Sequence, residues 1–85
     1  MIQSTLFVAA KYLRAREKNK QIQTLNNWLI EFGLKNAIEF LNINLLVSKN
    51  GFLRDDLTYD GIHLIAQGYA LWAPEVGRVL VKHSL

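Results

Sequence analysis

A chain of 85 residues is one small domain at most. At 51% apolar and 20% charged it is a folding sequence rather than a disordered one, and the absence of cysteine excludes disulfides and thiolate metal sites while leaving the compartment undetermined. Its net charge is only +3, and no segment approaches the ~18 apolar residues that a membrane span needs.

The first stretch, "IQSTLFVAA" (2–10), is short, apolar and rich in β-branched and aromatic residues, which predicts a strand covered on both faces. The opening "MIQSTLFVAA" lacks the basic start and long apolar core of a signal peptide. Next, "KYLRAREKNK" (11–20) sets Lys11, Arg14, Arg16, Lys18 and Lys20 against Glu17. A basic run can be a nucleic-acid footprint. Here Tyr12 is its one aromatic and no basic stripe continues elsewhere, so it reads as a solvated loop and helix start, and no nucleic-acid partner is expected.

Within "NKQIQTLNNWLIEFGLKN", Ile22, Leu25, Leu29 and Phe32 recur at helical spacing, widened by Trp28. They predict an amphipathic helix with that stripe against the core. Asn19 is the expected N-cap, and Gly33 the expected end of the regular part or a point one turn short of it. "AIEFLNI" (37–43) alternates and predicts a second strand. "SKNG" (48–51) predicts a turn, because Asn-Gly supplies the positive φ of tight turns. "FLRDDLTYDGIH" reads as irregular. From Ala66 to about Val81, Tyr69, Trp72, Ala73, Val76, Val79 and Leu80 predict a last helix, which Pro74 should kink or restart.

The order is strand, helix, strand, loop, helix, and the first three make a right-handed βαβ unit with parallel strands. Two strands and two helices are too few to cover a parallel sheet on both faces. The chain therefore reads as one end of a larger α/β domain.

Asp60 and His63 stand three apart in the loop before the last helix, with Gly61 between them to permit a tight turn. A carboxylate on one imidazole nitrogen fixes the tautomer and leaves the other free to take a hydroxyl proton. On this spacing alone, a turn-capping Asp beside a surface His is the simpler reading. "RDD" (54–56) has no His or further carboxylate at ligand spacing and reads as an exposed loop. Trp28, Trp72 and Tyr69 at helical spacing read as core or interface residues, and His83 as a solvated side chain near a helix end. No cofactor is expected.

The wider block "TYDGIHLIAQGYALWA" closely resembles the last sequence block of the SGNH hydrolases, the GDSL lipase and acylhydrolase family. The likeness runs through Asp60, Gly61, Ile62, His63, Leu64, Gly68, Tyr69, Trp72 and Ala73. Upstream, "KNKQIQTLNNWL", "FLNIN" and "NGFLRDDLTYDG" resemble the family's preceding helix, last strand and catalytic loop. The resemblance implies an α/β fold, the C-terminal βαβα portion of a flavodoxin-like sheet of parallel strands with flanking helices. Residues 1–85 would then be a single partial domain. It implies a Ser-His-Asp triad in which Asp60 orients and His63 is the general base, acting on a small-molecule acyl or acetyl ester in the complete enzyme. Two departures stand out. Ile65 takes the place of a customary Asn, and an Ile side chain provides no helix cap. The G-D-S nucleophile block and the blocks that build the oxyanion hole are absent, and Ser4, Ser48 and Ser84 lie in no such setting. The alternative is a catalytically inactive remnant or an interaction module. Self-association is expected, through Ile2, Leu6 and Val8 with Trp28 or Trp72.

Overall fold

The 2–10 segment runs beside two different partners. In the computed structural model, which describes residues 1–84 and the side chains of residues 1–82, its first part pairs with one strand and its end with another. Strand β1 (Ile2–Gln3) pairs in parallel with β2 (Phe40–Leu41), Ile2 opposite Phe40 and Gln3 opposite Leu41. Helix α1 (Ala15–Lys35) makes the crossover between them. The unit is therefore βαβ, and the fold is α/β with a parallel sheet and flanking helices, as expected. A one-turn helix α2 (Asn44–Val47) then leads into the hairpin of β3 (Ser48–Lys49) and β4 (Phe52–Leu53). A 3-10 turn (Asp55–Leu57), the Asp60–His63 loop and helix α3 (Ala66–Ser84) complete the chain.

The predicted strand over 2–10 is cut short, for an identifiable reason. From Thr5 onward the backbone bonds to side-chain amides instead of a neighbouring strand. Asn26 Oδ1 accepts from Thr5 N–H at 2.7 Å and its Nδ2 donates to Thr5 O at 3.0 Å. Asn44 accepts from Phe7 N–H at 2.9 Å and donates to Thr5 O at 2.8 Å. Asn19 accepts from Val8 N–H at 2.8 Å and donates to Val8 O at 3.0 Å. A carboxamide offers the same donor and acceptor as a peptide edge. Only at Ala9, which bridges to Leu53 in parallel, does the segment meet a strand again.

These amides also decide which way α1 faces. Its buried residues are Ala15, Asn19, Asn26 and Gly33. The predicted apolar stripe is split: Ile22 and Leu29 are half-buried, while Leu25, Trp28 and Phe32 turn outward at 45%, 58% and 40% exposure, with the Trp28 and Phe32 rings stacked at 5.4 Å. An unpaired backbone donor or acceptor in the interior costs about 1–3 kcal/mol, so satisfying several of them outweighs turning a few apolar groups inward. Asn19 is thus a buried bridge and not the N-cap. The helix starts five residues earlier, after Arg14, which sits in the left-handed region at φ 56° and makes no side-chain cap.

The core lies where the end of the first segment, α2, the hairpin and the start of α3 converge. Ala9, Ile43, Val47, Leu53, Leu57 and Leu64 fill it, with Leu6, Leu46 and Trp72 against its edge. The Asn50–Gly51 turn closes the hairpin with φ of 54° and 82°, the backbone that Asn-Gly favours. Helix α3 runs through Pro74 as one element, so of the two expected outcomes a restart does not occur. It turns Gly68 and Val79 inward and leaves Tyr69 and Leu80 exposed, so only part of its predicted stripe is used. The side chains of His83 and Ser84 lie outside the described residues.

Candidate functional site

The Asp60–His63 loop is held to the body of the molecule by its glycine. Ala9 N–H donates to Gly61 O at 2.8 Å, and Gly61 is buried against Tyr12 and Lys11. Its φ of 91° is a conformation that L side chains rarely adopt, and a Cβ there would meet Tyr12 Cβ at 3.2 Å. Gly61→Ala should therefore displace the loop. The expected result is a lower melting temperature together with changed amide shifts at Ile62 and His63.

Within the loop, Asp60 uses its two oxygens differently. Oδ1 accepts from Ile62 N–H and His63 N–H, both at 2.9 Å, and from the Thr58 hydroxyl at 3.3 Å. Oδ2 lies 2.6 Å from His63 Nδ1. The two residues expected to meet do meet, on one loop. An ionised carboxylate only accepts, so Nδ1 carries the proton of that bond, and the neutral ring keeps its lone pair on Nε2. No hydrogen bond reaches Nε2 from the described residues, and the His63 side chain is 77% exposed. The arrangement is an oriented base with its accepting nitrogen turned to an open surface.

The same contacts set the carboxyl's acidity. His63 first, and then the backbone N–H groups of Ile62 and His63, hold Asp60 well below the usual carboxylate range. A depressed carboxyl stabilises the fold while it is ionised, and that contribution is lost as the pH falls below about 4. The acid limb of melting temperature against pH should therefore be shallower in Asp60→Asn than in the parent chain.

Two residues that sequence reasoning passed over support the loop. Thr58 is buried, and its hydroxyl accepts from Gly61 N–H at 3.0 Å while donating to Asp60. Lys11, read as part of a solvated run, donates to Thr58 O at 3.1 Å and lies 3.9 Å from Asp55. The T-x-D spacing was the available signal, since Ser and Thr hydroxyls commonly bond backbone two or three residues on.

The remaining candidates stand apart from the pair. Ser4 is buried, donates to Asn42 Oδ1 and accepts from Ile43 N–H at 2.8 Å; Ser48 donates to Asn44 Oδ1. Both are structural hydroxyls. Arg54 and Asp56 form an exposed ion pair at 2.6 Å on the 3-10 turn. Among the described residues no group of three His, Cys, Asp or Glu is placed to hold a metal, and no helix is long and apolar enough to cross a membrane. A cleft of about 430 Å³ between α1 and the hairpin, lined in part by Phe7, Arg16, Lys20 and Phe52, does not include the pair.

No protein-family model matches the chain. N-acylneuraminate cytidylyltransferases from three strains of Streptococcus agalactiae are 37% identical to it over 76 residues, covering 81% of this chain and 18% of theirs. The crystal structure of a GDSL-like lipase from Bacteroides thetaiotaomicron superposes with a TM-score of 0.78 at 27% identity, covering 95% of this chain and 42% of that one. The chain thus spans about a fifth of the curated relatives it matches and less than half of the lipase. With its parallel βαβ unit and flanking helices, it has the fold of the GDSL-like, or SGNH, hydrolases.

Proposed function

We propose that the chain is the C-terminal, acid–base part of a serine ester hydrolase domain, and that residues 1–85 form one partial domain of it. The observation that carries this reading is the 2.6 Å contact between Asp60 Oδ2 and His63 Nδ1, in a chain that shares a lipase fold. Asp60 orients the ring, and His63 Nε2 takes the proton of a serine hydroxyl as it attacks a small acyl or acetyl ester. That serine and the oxyanion donors belong to blocks absent from this chain. By itself the chain should show no saturable turnover of a p-nitrophenyl ester. The decisive experiment puts this chain in place of the matching 42% of the Bacteroides thetaiotaomicron lipase. Ester hydrolysis by a folded chimera supports the reading, and a folded but inert chimera contradicts it.

The match to N-acylneuraminate cytidylyltransferases favours a second reading, a non-catalytic module carried by an enzyme of other chemistry. The same chimera separates the two.

Self-association is part of the proposal, but its surface moves. Val8 is buried within the chain, and the backbone of Thr5, Phe7 and Val8 is engaged by asparagines, so the expected contact has little left to offer. The outward face of α1 carries Leu25, Trp28 and Phe32 instead. Sedimentation equilibrium at micromolar concentration should show a dimer that Trp28→Asp dissociates. A monomer under the same conditions would refute the proposal.

A further inference from the structure

We propose that Thr58 is a positioning residue for the Asp60–His63 pair: its buried hydroxyl holds one carboxylate oxygen so that the other stays on His63 Nδ1. The inference rests on reading that pair as the acid–base end of a triad.

Asp60 is exposed and three bonds from its own backbone, so its carboxyl would rotate broadly if left alone. Thr58 is 3% exposed and belongs to the body of the molecule. Its carbonyl accepts from Lys11 Nζ at 3.1 Å, and its N–H donates to Asp55 O at 3.5 Å across the 3-10 turn. The hydroxyl has one proton to give. Because Gly61 N–H already donates to that oxygen at 3.0 Å, the proton is directed to Asp60 Oδ1 at 3.3 Å. The N–H groups of Ile62 and His63 also reach Oδ1, but they ride on the same loop as the carboxylate. Among the described residues, Thr58 is the one donor to Oδ1 whose anchor lies outside that loop. The division follows: Oδ1 is tied to the protein, and Oδ2 faces Nδ1 at 2.6 Å. A histidine tautomer is set by the partner of its other nitrogen. Thr58 therefore acts on the ring through Asp60, without touching it.

A purely structural role predicts something different. Thr58→Val leaves the Gly61 N–H without its partner, and any account of Thr58 expects a lower melting temperature. Only the positioning role also expects the imidazole to change. The test is the tautomer of His63, read from its ring ¹⁵N shifts in the 85-residue chain at about pH 9, well above the imidazole range. The parent chain should hold the proton on Nδ1. Thr58→Val should shift the population toward the Nε2–H form, and Thr58→Ser should restore it. Thr58→Cys, close to Val in size but with a weak S–H donor, should behave as Val does, and it decides the matter if Thr58→Val does not fold. A valine or cysteine variant that melts earlier yet keeps the parent tautomer would overturn the proposal. So would a parent chain that does not favour the Nδ1–H form. No ester enters this experiment. An inert chimera would count against the hydrolase reading and leave Thr58's role standing, whereas an unchanged tautomer would remove Thr58's role and leave the hydrolase reading intact.

Discussion

His63→Ala should abolish ester hydrolysis in the chimera, lowering kcat by on the order of 10⁶, the scale seen when a triad base is deleted. In the proposed reaction the imidazole would take the nucleophile's proton and later return it to the leaving group, and no other described side chain stands at that position with an open nitrogen. Asp60→Asn should cost about 10⁴. A carboxamide can turn its N–H₂ toward Nδ1, which then has to accept, so the proton moves to Nε2 and the base is blocked. The two substitutions should be far from additive, because each disables the same unit. Steady-state kinetics on the two single variants and the double variant check all three values. A His63→Ala chimera retaining more than about a hundredth of the parent rate would mean that another group is the base, since general-base catalysis alone contributes at least about that much.

The second large effect is on stability, and it separates two views of α1. If the Leu25, Trp28 and Phe32 stripe faced the core, Trp28→Ala would cost about 3–5 kcal/mol. In the structure Trp28 is outward, so in the monomer the change should stay near ±0.5 kcal/mol. Asn19→Leu should do the opposite. It strips the buried Val8 N–H of its acceptor at 2.8 Å and the Gly51 carbonyl of its donor at 3.0 Å. At about 1–3 kcal/mol for each unsatisfied group, the loss should reach about 2–6 kcal/mol. A domain of this size has only about 4–13 kcal/mol to lose. The melting temperature should fall by on the order of 15 °C. Chemical denaturation of the two variants beside the parent is the measurement, at concentrations where the parent is monomeric. A costly Trp28→Ala with a harmless Asn19→Leu would mean that α1 is turned the other way.

Much of the site was legible because its chemistry is local. Asp60 Oδ1 bonds backbone groups two and three residues on, and Oδ2 meets a ring three residues on, so the three-residue spacing permits the contact, and the wider block around it pointed to the pairing. The Asn50–Gly51 turn is equally local, since its positive φ values are written into the two residues that adopt them. The βαβ order was readable too, from apolar runs and helical periodicity, and so was the likeness of residues 58–73 to the last block of a hydrolase family. Thr58 escaped notice because nothing in its neighbours' identities shows that it is buried.

What the chain by itself determined, then, is the βαβ order with a last helix, the Asn-Gly turn and, through the wider block, the pairing of Asp60 with His63, but not the one-turn helix α2 or the strands that flank that turn. The tertiary structure alone decided the length of the first strand, the inward face of α1 and the anchoring of the loop. Asn19, Asn26 and Asn44 bond backbone groups 11, 21 and 37 residues away, at Val8, Thr5 and Phe7. Hydrophobic periodicity weighs each helix face by its own side chains and is blind to polar groups brought against it from elsewhere. Where those groups would otherwise be buried unpaired, their demand exceeds that of a few apolar side chains, and the helix turns its amides inward.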